Sequence, residues 1–412
     1  MPDFFPFPGV RYRPDACRAR LEDLTAPPYD VIDAEARARL EAAHPMNAVH
    51  LILPRDQESG DRYQRAAQRL EEWQRQGVLE ADPPRLYLYR MAFTAEGGER
   101  RLTTGVIGAL ALSPPDQGEV LPHERTMPKP RGDRLDLLRA TRANLDPVWV
   151  LSMAPGLSDL LGPGDSPPTA GCIDTDGVEH CLIPLPDDIA ARVSETVGSA
   201  PVVIADGHHR YETALAFAKE DVRLRGDRGP RAADQIMALV VELAPNQLCV
   251  RPIHRLLLGA GPDLRGRLAR VATLDPAGPN TPEGVRTLLA RMDGGEAMGL
   301  VDGDGLAMLT LRLDVLHAGL ERLPAPLRDV DSARLEVALG ALGIPEALDF
   351  HADPATVAAE VAKGTADAGV FLRPVSVAQI QAVAAAGERM PEKTTYFSPK
   401  PLTGMVFRPV DD

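Results

Sequence analysis

The segment 201–220, PVVIADGHHRYETALAFAKE, contains the side chains with the clearest chemical potential in this sequence. Its apolar run VVIA is typical of a buried strand, and Asp206–Gly207 is typical of a turn. An apolar helical pattern follows, which places His208, His209 and Arg210 in or near the first turn of a helix. The sequence therefore predicts that a strand turns into a helix at these polar residues.

A cation at the start of a helix has a specific chemical implication. The free N–H groups and the dipole of a helix N-terminus favour an anion, so an arginine there is normally disfavoured. An anion held between the arginine and the N–H groups removes this conflict, and the guanidinium fork suits phosphate. We therefore predict a phosphate site formed by Gly207, His208, His209 and Arg210. Asp206 would place Mg²⁺ or orient the turn.

Simpler interpretations use the same residues differently. The two histidines would be exposed polar side chains, and Arg210 would pair with Glu212 or another carboxylate. A transition-metal site would need both imidazoles on one ion, but adjacent helical residues point in different directions. The phosphate site and the polar surface are therefore the main alternatives.

Two further segments contain a carboxylate suited to the same chemistry. In LPHERTMPKPRGDR, cations surround Glu124, which makes Glu124 a candidate general base or Mg²⁺ ligand. A solvated basic loop is the alternative. In TAPPYDVI, two prolines restrict the backbone before Tyr29 and Asp30, which suits a positioned carboxylate. A structural Asp that caps the following turn is the alternative.

The C-terminal segment 390–404, MPEKTTYFSPKPLTG, combines lysines with aromatic residues. We expect it to fold back onto the body of the protein, where Lys393 would reach a phosphate or an aromatic ring would face a base. A docked terminal strand is the alternative. Asp30, Glu124, Arg210 and Lys393 are predicted to line one pocket.

Short elements separated by turns must position these side chains, since the chain contains 39 prolines and 35 glycines. Asp33 is predicted to cap a helix, NAVHLILP to form a buried strand, and 84–112 to form a hairpin. Helices and hairpins both recur, which predicts an α+β fold with mixed sheets and flanking helices. The predicted domains are residues 1–115, 116–258 and 259–412.

Composition limits the class of function. The net charge is −14 in 412 residues. This argues against a general nucleic-acid binder, which usually carries a basic face. The sequence shows no apolar run of membrane-spanning length and no secretory signal, so a cytoplasmic location is expected. The four cysteines have no CxxC spacing, which argues against a structural zinc site.

The motif ADGHHRYETAL resembles the Gly-x-His-Arg element of the ParB/sulfiredoxin superfamily, most closely the DGHHR form of its free serine kinases. This resemblance implies a ParB/sulfiredoxin-like nucleotide-binding core in which the element holds phosphates, and an acidic catalytic residue in the N-terminal part. His208 occupies the position of the sulfiredoxin cysteine, so repair of a sulfinic acid through that thiol is not available.

A second resemblance extends over nearly the whole chain. The spaced segments APPYDVI, HERTMP, IADGHHRYETAL and ERMPEKTTYFSPKPLTGMVF are similar to successive signatures of the DUF1015 family. Four motifs in the same order make this resemblance specific. The family match itself implies no reaction.

These observations together predict a nucleotide-dependent phosphotransferase that acts on a small hydroxyl compound such as free serine. ATP or ADP and Mg²⁺ would be bound, and Asp30 or Glu124 would accept the hydroxyl proton. A phosphomonoester phosphatase using His209 as nucleophile or acid is one alternative. A nucleotide-binding regulator without turnover is the other. The sequence does not determine the oligomeric state.

Overall fold

The computed structural model describes residues 1–56, 61–95, 97–125, 132–162, 168–225, 231–344 and 348–411. Its internal contacts divide the chain into two compact units. The first unit consists of Met1–Pro122, Thr126–Cys249 and Pro399–Asp412. The second consists of His123–Arg125 and Val250–Ser398. The last residues of the chain therefore belong to the first unit.

The strands of the described chain are short, with the longest in the first unit. In chain order they are β1 (Phe4–Phe5), β2 (Val10–Tyr12), β3 (Leu79–Ala81), β4 (Tyr87–Thr94), β5 (Arg100–Ala111), β6 (Val120–Pro122), β7 (Ala143–Asn144), β8 (Val148–Ser152), β9 (Ala170–Ile173), β10 (Glu179–Pro184), β11 (Val202–Asp206), β12 (Gln235–Glu242), β13 (Cys249–Pro252), β14 (His254–Leu257), β15 (Ala272–Gly278), β16 (Met298–Asp302), β17 (Gly305–Leu311), β18 (Leu348–His351), β19 (Ala368–Phe371), β20 (Thr395–Ser398) and β21 (Arg408–Pro409).

The helices range from single turns to the long helix that follows β11. They are α1 (Pro14–Cys17), α2 (Leu21–Leu24), α3 (Ala34–Ala43), α4 (Val49–Ile52), α5 (Arg62–Arg75), α6 (Gly132–Thr141), α7 (Leu157–Leu161), α8 (Asp187–Val197), α9 (His208–Arg225), α10 (Leu264–Leu268), α11 (Pro282–Met292), α12 (Leu313–Leu320), α13 (Asp331–Ala341), α14 (Pro354–Lys363) and α15 (Val377–Ala385). None of those in the described chain has both the length and the apolarity needed to cross a membrane.

A nine-stranded mixed sheet forms the framework of the first unit. Its order is β6-β11-β8-β12-β5-β4-β10-β9, and β1 pairs with β5. The predicted hairpin is confirmed, because β4 and β5 pair antiparallel from Tyr87–Ile107 to Thr94–Arg100. Residues 1–115 and 116–258, which the sequence separates into two domains, both supply strands to this sheet, since β5 also pairs with β12.

The second unit contains a six-stranded sheet of order β15-β17-β16-β19-β14-β18. Its pairs are antiparallel, and apolar clusters bury side chains of the sheet, including Leu300, Leu309 and Val370 in one cluster and Val301 and Phe371 in another. Helices pack against the strands in both units. The predicted α+β class with mixed sheets and flanking helices is confirmed.

The prediction of a buried strand in NAVHLILP is wrong. The segment forms the one-turn helix α4, whose Val49, Leu51 and Ile52 are buried. Asn47 explains this local structure, since its side-chain oxygen accepts from the Val49 N–H at 2.8 Å while its amide donates to the carbonyls of Asp23 and Thr25. A short apolar run is compatible with a strand or with a helix. Here the hydrogen bonds of Asn47, the polar residue before the run, favour the helix.

Asp33 caps α3 as predicted, since its carboxylate accepts from the Ala36 N–H at 2.7 Å. The prolines before Tyr29 lead into a short 3₁₀ turn, Tyr29–Val31, rather than a continuous extended segment. Asp30 lies inside this turn, whose N-cap is Pro28, so Asp30 does not cap the turn.

Candidate functional site

The predicted strand-to-helix turn is present between β11 and α9. β11 lies between β6, its parallel neighbour, and β8, its antiparallel neighbour. A bulge between Ile204 and Asp206 interrupts its pairing with β8, and such bulges re-aim the side chains that follow them. α9 then begins at His208. β11 thus places Asp206 immediately before the N-terminus of α9.

Gly207 is required at this turn for two reasons. Its φ is +93°, which lies in the left-handed region that other residues rarely adopt. A Cβ at this position would also lie 3.0 Å from Nε of Arg210. The glycine therefore lets the Arg210 side chain fold back over the turn.

The start of α9 is anchored to the sheet by a buried tyrosine. The Tyr211 hydroxyl donates to the Ser113 carbonyl and accepts from the Ser113 N–H, both at 2.9 Å. Nδ1 of His209 is 3.9 Å from a Glu212 oxygen, which is longer than a hydrogen bond. His208 and His209 are half-buried in the first helical turn.

Asp206 holds two cations, one on each carboxylate oxygen. Its Oδ2 accepts from Arg210 at 2.6 Å, and its Oδ1 accepts from Nζ of Lys400. Arg210 also donates to the carbonyl of Pro147 at 2.6 Å. Arg210 therefore pairs with a carboxylate, as the alternative interpretation of the sequence expects. The partner is Asp206 rather than Glu212.

The opposite charges of Asp206, Arg210 and Lys400 stabilise the ionised form of each side chain. Burial alone would raise the pKa of Asp206, but Lys400 and Arg210 outweigh burial and hold that pKa far below its usual range. Burial likewise works against the charge of Arg210, yet the nearby carboxylates Asp206, Asp146 and Asp30 raise its pKa above the usual value. Both groups are therefore ionised at neutral pH.

A small cleft opens beside Arg210. Its cavity volume is about 60 Å³, and the empty space around it, which includes open solvent, amounts to about 460 Å³. Half of its twelve lining residues are apolar and half are polar. The lining residues are Tyr29, Arg134, Leu137, Leu138, Ala143, Asn144, Leu145, Asp146, Arg210, Thr213, Ala214 and Ile236. Ligand pockets commonly combine an apolar wall with a few placed polar groups.

Asp146 is the buried carboxylate of this cleft and lies two residues before β8. Its Oδ1 accepts from the hydroxyl of Thr403. Burial raises the pKa of Asp146 above the usual value, although Arg210 and Thr403 oppose this shift. A carboxylate with a raised pKa inside a cleft is a stronger base than an ordinary carboxylate, which suits a general base.

Tyr29 and Arg134 lie on the same cleft. The Arg134 guanidinium stacks 4.4 Å from the centre of the Tyr29 ring and donates to Asp133 and to the Ile52 carbonyl. Asp30 is exposed, but its charge acts on Tyr29, Arg210 and Asp146. The structure therefore brings Asp30 close to Arg210.

Glu124 and Lys393 belong to the second unit. Glu124 is buried, and its Oε1 accepts from the N–H of Thr395 at 2.7 Å and from the Thr395 hydroxyl at 2.5 Å. The Lys393 side chain is exposed, and its carbonyl accepts from Arg255 at 2.9 Å. The placement of these two residues in one pocket with Asp30 and Arg210 stays a prediction.

The proposed role of Asp206 in metal binding meets a specific constraint. Both of its oxygens already accept from cations, so a Mg²⁺ ion bound to Asp206 would lie close to two positive groups. The described parts of the chain contain no group of three or more His, Cys, Asp or Glu side chains arranged to hold a metal ion. Lys129 and Arg131 of the predicted basic loop lie outside the described residues.

Comparison with known families identifies the chain. A family model described as "Protein of unknown function (DUF1015)" matches residues 4–324. This protein belongs to the DUF1015 family. The match includes the turn at 206–210, Asp30, Glu124 and Asp146, and it ends before Lys393 and Lys400. No curated protein matches the sequence.

Several solved structures are similar to this DUF1015 protein. SbnI from Staphylococcus aureus with a C-terminal truncation is 14% identical, with a TM-score of 0.39, and the match covers 72% of this chain and 85% of that chain. A conserved hypothetical protein from Pyrococcus furiosus is 12% identical, with a TM-score of 0.35 and coverages of 73% and 93%. A free serine kinase in complex with AMP is 12% identical, with a TM-score of 0.35 and coverages of 71% and 86%.

Sequence reasoning alone did not single out three residues of this site: Asp146, Arg134 as a cleft residue, and Lys400 as the partner of Asp206. Asp146 carried a weak signal, since it immediately precedes the proline and apolar strand of LDPVWVLS. Lys400 lies within a segment expected to return to the protein, but seven residues after the lysine predicted to act there. No local pattern in this DUF1015 sequence indicates that Lys400 reaches Asp206.

Asp206→Asn in the DUF1015 protein should lower the free energy of unfolding by about 3–5 kcal/mol at pH 7, because two largely buried cations lose their counter-ion. The unfolded carboxyl protonates first, near pH 4, while the folded one stays ionised, so the advantage of the parent should shrink as the pH falls below about 4. Urea unfolding at several pH values measures this. Asp136→Asn, which changes an exposed carboxylate paired with Arg139, is the control and should cost at most about 1 kcal/mol. An equal cost for both variants would contradict the prediction.

Proposed function

We propose that this protein is a nucleotide-dependent phosphotransferase that acts on a small hydroxyl compound such as free serine. One observation carries the proposal: the strand–turn–helix junction at 206–210 adjoins a cleft that contains a buried carboxylate, Asp146. The junction is suited to bind phosphates, and the carboxylate is suited to accept a proton. The DGHHR resemblance to free serine kinases supports the same reaction.

The nucleotide phosphates would bind at the N-terminus of α9. Backbone N–H groups of the first turn and the positive end of the helix dipole favour an anion there. Gly207 keeps the turn free of a Cβ, and Arg210 lies against it. Arg210 and the two histidines would add side-chain donors around the phosphates.

The charge of the site supports the proposal that the reaction requires Mg²⁺. Arg134 is bonded to Asp133, so the remaining cluster has the carboxylates Asp30, Asp146 and Asp206 against the cations Arg210 and Lys400. Three negative groups against two positive ones would oppose a polyphosphate. A Mg²⁺ ion that arrives with the nucleotide would offset this excess, and Mg²⁺ commonly needs only one or two protein carboxylates in addition to phosphate oxygens.

Asp146 is our candidate for the general base. The acceptor hydroxyl would give its proton to the Asp146 carboxylate as its oxygen forms a bond to the terminal phosphorus of the nucleotide. The bond from that phosphorus to its bridging oxygen would break, and the nucleotide shortened by one phosphate would leave. Positioning and charge stabilisation would supply most of the acceleration. Asp30 and Glu124 are the competing candidates for the base.

The test is consumption of ATP and of ADP by the purified protein with a panel of hydroxy amino acids and other small alcohols. Reactions with Mg²⁺ and with a chelator are run side by side, and products are identified by mass spectrometry. We expect a phosphorylated acceptor and one shortened nucleotide, only with Mg²⁺. Release of inorganic phosphate from phosphomonoesters without nucleotide would instead indicate a phosphatase. Nucleotide binding without any product would indicate a regulator.

A further inference from the structure

We propose that Lys400 is a phosphate-binding residue of this site, supplied by the C-terminal segment and positioned by Asp206. The inference rests on the proposed function, because the phosphate it would bind belongs to the nucleotide. It replaces Lys393, the lysine that the sequence pattern indicated. The two lysines differ in surroundings: Lys393 is exposed, whereas the Lys400 side chain is only 11% exposed and contacts Asp206.

The C-terminal segment is fixed immediately after the contact that Lys400 makes. The N–H of Leu402 donates to the Tyr89 hydroxyl at 3.0 Å. That hydroxyl lies 2.8 Å from Nδ1 of His180, whose Nε2 lies 3.0 Å from Asp174. A buried chain of polar groups thus holds the backbone two residues after Lys400.

The next residue continues the attachment. Thr403 pairs with Ala26 through two backbone hydrogen bonds of 2.8 and 3.1 Å, and its hydroxyl donates to Asp146. Gly404 has a φ of +97°, and a Cβ there would lie 3.2 Å from Ala48. The segment therefore contacts both buried carboxylates of the site, Asp206 through Lys400 and Asp146 through Thr403.

Asp206 holds Lys400 beside the start of α9. One carboxylate is shared by two cations, Arg210 and Lys400, and their side chains are each only 11% exposed. Asp206 ends β11 and α9 begins two residues later at His208, so the Lys400 ammonium group lies next to the proposed phosphate site. A phosphate bound there would add negative charge to a site with an excess of carboxylates, and Lys400 would oppose that excess as a point charge.

A purely structural ion pair is the competing explanation, and the matched variants Lys400→Gln and Lys393→Gln separate the two. Glutamine at position 400 can still donate a hydrogen bond to Asp206, so the fold should persist, and urea unfolding checks this. Binding of ATP and of inorganic pyrophosphate is measured by calorimetry with Mg²⁺ present. Lys400→Gln should weaken both by about 10- to 100-fold, the range for loss of one charged hydrogen bond. Lys393→Gln should change them by less than about twofold, as is usual for an exposed charge.

The outcomes also separate this inference from the proposed function. If Lys400→Gln binds ATP and pyrophosphate as tightly as the parent, or if Lys393→Gln is the variant that loses binding, the role of Lys400 is wrong, whether or not the parent is a kinase. If Lys400→Gln loses binding but the parent phosphorylates no acceptor, Lys400 binds phosphate and the phosphotransferase proposal fails. If the parent binds neither ATP nor pyrophosphate, both fail.

Discussion

Replacing Asp146 with asparagine should reduce phosphoryl transfer by about 10²- to 10⁴-fold while nucleotide affinity stays near that of the parent. Asparagine keeps the shape of the side chain and an oxygen that can accept from Thr403, but it cannot take up the hydroxyl proton. Steady-state kinetics with the acceptor found in the substrate panel, together with calorimetric titration of nucleotide, measure the two effects separately.

We also expect Asp146→Asn to change how the stability of the protein depends on pH. Burial raises the pKa of Asp146, so the unfolded carboxyl releases its proton at a lower pH than the folded one. The stability of the parent should therefore fall as the pH rises from about 4 through the folded pKa, and Asp146→Asn should lack this decline. At neutral pH the variant should be at least as stable as the parent, which excludes unfolding as the cause of lost turnover.

Asp30→Asn and Glu124→Gln are the comparison variants for this experiment. One acceptor hydroxyl needs one base, so only one of the three carboxylate substitutions should produce the large loss of turnover with nucleotide affinity retained. If Asp146→Asn turns over like the parent and one of the other two does not, the base is the other residue. A loss of turnover in Glu124→Gln must be compared with the stability of that variant, because Glu124 also accepts hydrogen bonds from Thr395.

Arg210→Ala should weaken nucleotide binding by about 10- to 150-fold, because a charged bidentate contact to phosphate contributes about 1.5–3 kcal/mol. Calorimetry with ATP, ADP and AMP measures the loss. The effect should be smaller for a nucleotide with fewer phosphates if the guanidinium contacts the phosphate chain.

Two controls distinguish phosphate binding from the structural contacts of Arg210. Arg210→Lys keeps a positive charge beside Asp206 but loses the planar fork, so it should bind nucleotide more weakly than the parent and more tightly than Arg210→Ala. Arg139→Ala removes an arginine that is paired with Glu220 on the exposed face of α6 and should leave affinity unchanged. If Arg210→Ala unfolds at the same urea concentration as the parent and binds ATP equally well, Arg210 takes no part in binding.

The junction between β11 and α9 shows how much a local pattern can predict. A β-branched apolar run, an Asp-Gly pair and a helical face are signals within about twenty residues, and each depends on short-range backbone preferences. The strand, the turn and the start of α9 therefore lie where the sequence places them. α4 shows the limit of the same reasoning, because a short apolar run carries no period long enough to separate a strand from a helix.

The α+β class, the family and the Asp206–Arg210 element with its glycine can be predicted from the amino-acid sequence, since each depends on local patterns and motifs. The sharing of Asp206 by Arg210 and Lys400, which are 4 and 194 residues away, and the contact of Thr403 with Asp146 across 257 residues are visible only in the folded chain. Such contacts depend on how the sheet and the C-terminal segment pack. Side-chain pairing at these separations has no local period or motif, so packing alone selects Lys400 over Lys393 as the partner of Asp206.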